Sequence, residues 1–138
     1  MSTGKQIRKY RKLRKLTQKS LGEAVGMTES AIRNYELDLR TPNPELMDKI
    51  AKTLDIPVEA MQDYEIASSR EALEALFRLE DAFGLEPTED GHMRVNPKAE
   101  GSQKLIQALK AWRGVLDEVE SGEMSKEDYE LWKASIRS

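Results

Sequence analysis

The stretch Thr17–Glu36, TQKSLGEAVGMTESAIRNYE, decides how this chain is read. Thr17 can cap a helix running from Gln18 to about Val25, with Leu21 and Ala24 or Val25 as its inward positions. Gly26 can take the left-handed backbone that ends such a helix. Thr28 can cap a second helix, 29–37, with Ala31, Ile32 and Tyr35 inward. Two short helices therefore meet through a turn of three to four residues, and the small Ala24 allows close packing. Short polar side chains are left at the exposed N-terminal end of the second helix. Two arrangements fit these features. One is an ordinary helical hairpin. The other is a helix-turn-helix, whose second helix must offer such side chains to base edges. Spacing alone leaves both open.

Helical signals continue on either side. Upstream, Ile7, Tyr10 and Leu16 fit one face of a helix over roughly 4–15. Downstream, Arg40-Thr41-Pro42-Asn43 reads as a loop. Asn43 can cap a helix with Pro44 at its first position, where proline is favoured. That helix would bury Leu46, Met47, Ile50, Ala51 and Leu54, and Pro57 opens a short helix holding Val58 and Met61. A boundary falls near Glu65–Ser68. Ser68 and Glu71 form a capping-box pattern before a helix bearing Leu73, Leu76, Phe77 and Phe83, ended by Gly84. Asp90-Gly91 between short alternating segments predicts a small hairpin within 85–100. Ser102 can cap a long helix with Leu105, Leu109, Trp112, Leu116 and Val119 spaced four, three, four and three. That seam either packs inside one chain or faces a second one. After Gly122, Ser125 and Asp128 start a last helix with Tyr129, Trp132 and Ile136 on one face. The expected fold is mainly α, with one domain over 1–66 and a mostly helical one over 67–138.

Composition narrows the function. The chain has 138 residues, 34% charged and 38% apolar, enough for one domain or two small ones. It has no cysteine and one histidine, which excludes disulfides, thiolate metal sites and a cysteine nucleophile. No apolar run is long enough to span a membrane, and MSTGKQIRKYRK lacks the apolar core of a secretion signal, so a cytoplasmic protein is expected. Net charge is −3, but it is unevenly placed. Residues 1–19 carry eight basic side chains and no acid. The net charge is +2 over 1–66 and −5 over 67–138. A basic first part and an acidic second part imply two tasks.

Residues 4–64 resemble the Cro/C1-type helix-turn-helix domain of the XRE family, the fold of lambdoid phage repressors. The matching residues are Ile7 and Arg11, then Leu16-Thr17-Gln18 with Leu21, Ala24 with Gly26, and Ile32 with Tyr35-Glu36. Arg40, Pro42 and Pro44 follow, then Leu46, Ile50-Ala51, Leu54 and Ile56-Pro57. The resemblance implies a five-helix DNA-binding domain in which Gln18 meets the phosphate backbone and braces the recognition helix. Thr28 caps that helix and, with Gln18, is expected to contact DNA. Glu29, Ser30, Arg33 and Asn34 fall where the family reads bases or adjacent phosphates, and Arg40 lies in a loop that approaches the backbone. Glu29 can accept from cytosine, Arg33 can fork onto guanine or hold a phosphate, and Asn34 can pair with adenine. The family also places Arg11 and Glu36 as an ion pair. Three positions depart from its pattern. Lys15 stands where glycine is common, Gly22 replaces alanine, and Leu37-Asp38-Leu39 replaces a glycine-containing exit from the recognition helix.

Other candidates point to ordinary structure. Glu89, Asp90 and His92 share a solvated turn, so no metal is expected. Glu80-Asp81 are exposed helix charges, and Trp112 and Trp132 are packing residues in preference to a ligand pocket. There is no phosphate-cradling glycine loop after a strand and no nucleophile–base set, so neither an enzyme nor a cofactor is expected. The resemblance implies a sequence-specific transcriptional regulator, a repressor, bound to double-stranded DNA as a homodimer on a palindromic operator. Residues 67–138 would serve dimerisation or a protein partner. The competing readings are an antitoxin that represses its own operon and a ligand-responsive regulator.

Overall fold

The structure, a computed structural model, describes residues 2–136. Its helices are α1 (Thr3–Leu13), α2 (Gln18–Val25), α3 (Glu29–Glu36), α4 (Pro44–Leu54), α5 (Ser69–Phe83), α6 (Ser102–Ser121) and α7 (Lys126–Ser135). A 3-10 turn, Val58–Met61, takes the place expected for a fifth helix of the N-terminal domain. Strands β1 (Leu85–Pro87) and β2 (Met93–Val95) form an antiparallel pair with Leu85 opposite Val95 and Pro87 opposite Met93. No helix among the described residues is long and apolar enough to cross a membrane.

The helix starts follow local chemistry. Thr17 and Ser20 form a reciprocal capping box at α2, and the Thr28 hydroxyl accepts from the Ala31 amide at 3.1 Å at α3. Asn43 Oδ1 accepts from the Leu46 amide at 2.8 Å, with Pro44 next in line. Ser68 caps α5 through its hydroxyl, which accepts from the Glu71 amide and donates to the Glu71 carboxylate. The long helix differs from expectation. Gly101, not Ser102, is the capping residue, with φ at 78°. Ser102 lies inside the helix, fully buried, and its hydroxyl donates to the Pro97 carbonyl.

The chain divides into two units. One comprises the residues up to Glu65 together with the last helix from Glu127, and the other is Ile66–Lys126. In the first, Ile7, Tyr10, Leu21, Val25, Ile32, Tyr35, Ile50, Leu54 and Met61 form one core. Arg14 closes the end of α4, its guanidinium donating to the carbonyls of Leu54 and Asp55 at 2.7 and 3.1 Å. The last helix thus joins the N-terminal unit, not the C-terminal segment in which the sequence placed it. The reason is its packing face. Ala134 is buried in the N-terminal core and Leu131 lies against it. Glu130 reaches Lys9 of α1 at 2.6 Å. The expected Tyr129–Trp132–Ile136 face is not the buried one, since Ile136 is exposed and both rings are half-buried, stacked on each other.

The second unit is built around the hairpin. Helix α5 packs on β1 and α6 on β2. Its apolar interior is thin: no residue of α5 is buried, only Ser102 of α6 is, and Val95 is its one buried hydrophobic among the described residues. The Asp90–Gly91 turn closes the hairpin, with Gly91 at φ 85°.

Candidate nucleic-acid interface

Helices α2 and α3 meet through Gly26, whose φ of 75° ends α2 in the left-handed region. The residue that lets them approach is Gly22 and not Ala24, which is exposed. A Cβ at Gly22 would lie 2.6 Å from the Met27 carbonyl oxygen, inside contact distance. The turn therefore presses directly on the backbone of α2.

The orientation of α3 is set by a buried polar cluster. Arg11 Nε donates to Glu36 Oε2 at 2.6 Å and Nη2 to Oε1 at 2.9 Å, a two-pronged pair joining α1 to the end of α3. Gln18 Nε2 adds a third donor to the same carboxylate, at 3.2 Å from Oε1. The remaining Arg11 nitrogen, Nη1, donates to the Leu16 carbonyl. Glu36 thus draws the first three helices into one register.

With Ala31, Ile32, Tyr35 and Glu36 turned inward, Glu29, Ser30 and Arg33 stand exposed on the outer face of α3, and Asn34 is half-buried beside them. Thr28 is exposed, with its hydroxyl engaged in the cap. Arg40 lies apart from this group, its guanidinium 5.5 Å from the centre of the Tyr35 ring. The exit from α3 uses Asp38 in the left-handed conformation, φ 59°, stabilised where its carboxylate accepts from the Gly4 amide at 3.0 Å. A glycine is thus replaced there by an aspartate with a tertiary partner.

Arg8, which the sequence did not single out, lines a groove of about 240 Å³ with Arg11, Gln18, Arg33, Glu36 and Leu37. Two exposed guanidinium groups, from α1 and α3, flank the Glu36 cluster. The signal was present as one of eight basic side chains, undistinguished from the others. Several of those are committed elsewhere: Arg11 to Glu36, Arg14 to α4 carbonyls and Lys9 to Glu130. In the second unit, Asp90 pairs with His92 at 3.1 Å, and the Thr88 hydroxyl holds the Asp90 carboxyl below the usual carboxylate range. Among the described residues, no group of three or more histidines or carboxylates is placed to hold a metal.

Residues 7–60 match the family model described as helix-turn-helix. A crystal structure of the P22 c2 repressor protein in complex with synthetic operator 9T, in the presence of Tl+, aligns at 30% identity. The alignment covers 46% of this chain and 96% of that one, with a TM-score of 0.44. No curated protein matches the chain. Through residues 7–60 the chain belongs to the helix-turn-helix family of the XRE, Cro/C1 type, a family of DNA-binding transcription regulators.

Proposed function

We propose that this protein is a sequence-specific repressor that binds a palindromic operator as a homodimer, with α3 of each copy in the major groove. One observation carries the reading: the Arg11–Glu36–Gln18 cluster fixes α3 so that its polar N-terminal face points outward. In that arrangement Glu29, Ser30, Arg33 and Asn34 read base edges or adjacent phosphates. The Gln18 segment, capped by Thr17, and the flanking Arg8 hold the sugar–phosphate backbone. Arg40 contacts phosphate from the Tyr35 ring. A single α3 reads only a few base pairs, and two copies on half-sites about 34 Å apart supply the rest.

The test is selection of bound sequences from random duplex DNA by the purified protein. The expected result is an inverted repeat. Arg33→Ala then relaxes preference at one base pair of each half-site, with a loss of about 1–3 kcal/mol per contact. A uniform loss across sequences would assign Arg33 to phosphate. Absence of any selected sequence would remove the regulator reading.

A further inference from the structure

We infer that a second copy of this chain docks on α6, with the two α6 helices antiparallel about a two-fold axis passing between Lys110 and Ala111. This deepens the homodimer reading above and rests on it for the number of partners. The geometry comes from α6 itself. Its apolar residues at 105, 109, 112, 116 and 119 share one face, and the middle of that face is open. Leu109 and Trp112 are 37% and 43% exposed. On α5, Leu73 and Phe77 are 43% and 46% exposed. With Val95 as the one buried hydrophobic in the Ile66–Lys126 unit, a single copy has little core, and these side chains need a cover.

Two features identify the cover as the same helix, reversed. The first is the spacing. In an antiparallel pair, each seam position of one type meets the other type across the axis. Here Leu105 meets Leu116 of the second copy and Leu109 meets Trp112 of the second copy, and the reverse contacts follow by symmetry. Ala108 and Val115, on one flank of the seam, meet each other across the pair without charge. The second feature is charge. The half of α6 before the axis carries Lys104 and Lys110, and the half after it carries Arg113 with Asp117, Glu118 and Glu120, so the halves are net +2 and −2. Arg113 is already held by Asp117 at 2.8 Å and Glu120 at 3.1 Å within its own helix. A parallel pair would set lysine against lysine and acid against acid. The antiparallel pair lays the basic first half of each helix along the acidic last half of the other, and opposes the two helix dipoles.

The chain has no cysteine, so single cysteines introduced into this 138-residue chain report one position each. Spin labels on Ala111→Cys and Ser121→Cys separate the arrangements. At a rise of about 1.5 Å per residue, the antiparallel pair puts the 111 labels near the axis and the 121 backbones about 30 Å apart. A parallel pair gives short distances at both, which overturns the proposal. A dimer with long distances at both sites uses another surface, which also overturns it. So does a monomer in sedimentation at tens of micromolar. Trp112→Glu is expected to weaken dimerisation at least about 100-fold. If that variant does not fold, the label distances decide alone. The two readings fail separately. A correctly paired dimer that selects no DNA removes the repressor and leaves the pairing. A chain that selects DNA without this pairing does the opposite.

Discussion

Arg11 grips Glu36 through two parallel hydrogen bonds of 2.6 and 2.9 Å, with both side chains at least nine-tenths out of solvent. The pair spans from α1 to the last residue of α3, so it fixes α3 from behind. Removing one partner leaves a charge in a site built for two. Arg11→Ala or Glu36→Ala should therefore cost about 3–5 kcal/mol in urea unfolding. Replacing both with methionine should recover much of that loss, because neither charge is then stranded. A single-variant loss under about 1 kcal/mol would mean that water substitutes for the missing partner.

Gly22 decides a sign. On an open helix face, alanine in place of glycine gains about 1 kcal/mol. Here the added Cβ would meet the Met27 carbonyl oxygen at 2.6 Å and the Thr28 backbone at 3.3 Å. Overpacking of this kind costs about 1–3 kcal/mol. Gly22→Ala should thus lower stability in urea, and it should also weaken DNA binding because Thr28 caps α3. A rise in stability would show that the turn yields freely.

The parts legible in sequence are those governed by neighbouring residues. Thr17, Thr28, Asn43 and Gly26 act within three or four positions, and their helix ends lie where that chemistry requires. The choice between Ala24 and Gly22 was different. Both are small, and only the path of the turn determines which one meets it. The face of α7 was likewise undetermined, because apolar residues at 129, 131, 132, 134 and 136 offer more than one stripe in a ten-residue helix. Its partner, α1, is more than a hundred residues earlier. Arg8 could not be told from its basic neighbours until Lys9, Arg11 and Arg14 had found their partners.

Lys15 occupies the left-handed region at φ 59°, where glycine carries no steric cost. A side chain there costs about 1–2 kcal/mol, and glycine returns roughly half of that to the flexible unfolded chain. Lys15→Gly should raise unfolding stability by about 0.5–1 kcal/mol. Asp38, also at φ 59°, is the control. Its carboxylate accepts from the Gly4 amide, so Asp38→Gly should give no gain. Equal gains at both positions would mean that the Asp38 hydrogen bond contributes nothing.

Glu130 ties α7 to α1 through Lys9 at 2.6 Å and is also held by Lys133 at 3.1 Å. Partial burial pushes its carboxyl up, but the two ammonium groups outweigh this, so it titrates below the ordinary glutamate range. A carboxyl lowered by folding stabilises the fold above its unfolded pKa, about 4.3, and loses that contribution as pH falls through the lower folded value. Because the pair is about one-third exposed, the contribution is at most about 1 kcal/mol. Glu130→Gln should lower stability at pH 7 by that much, and the gap should close below about pH 4. A gap unchanged at pH 3 would assign the effect to packing.

The salt dependence of DNA binding follows from which cations remain available. Of the eight basic side chains in residues 1–19, Lys9, Arg11 and Arg14 have protein partners. Lys12 and Lys15 line a groove with Glu127 and Glu130 of α7, facing acids and not a polyanion. Lys5, Arg8 and Lys19 are exposed, and Arg33 and Arg40 join them from α3 and the loop after it. With about four of these five on phosphates, log affinity should fall against log salt with a slope near −4 per bound copy. Arg8→Gln with Lys19→Gln should reduce that slope by about 2, whereas Lys12→Gln with Lys15→Gln should leave it nearly unchanged. Equal effects from the two double variants would mean that overall charge, and not the placement set by α1 and α7, governs binding.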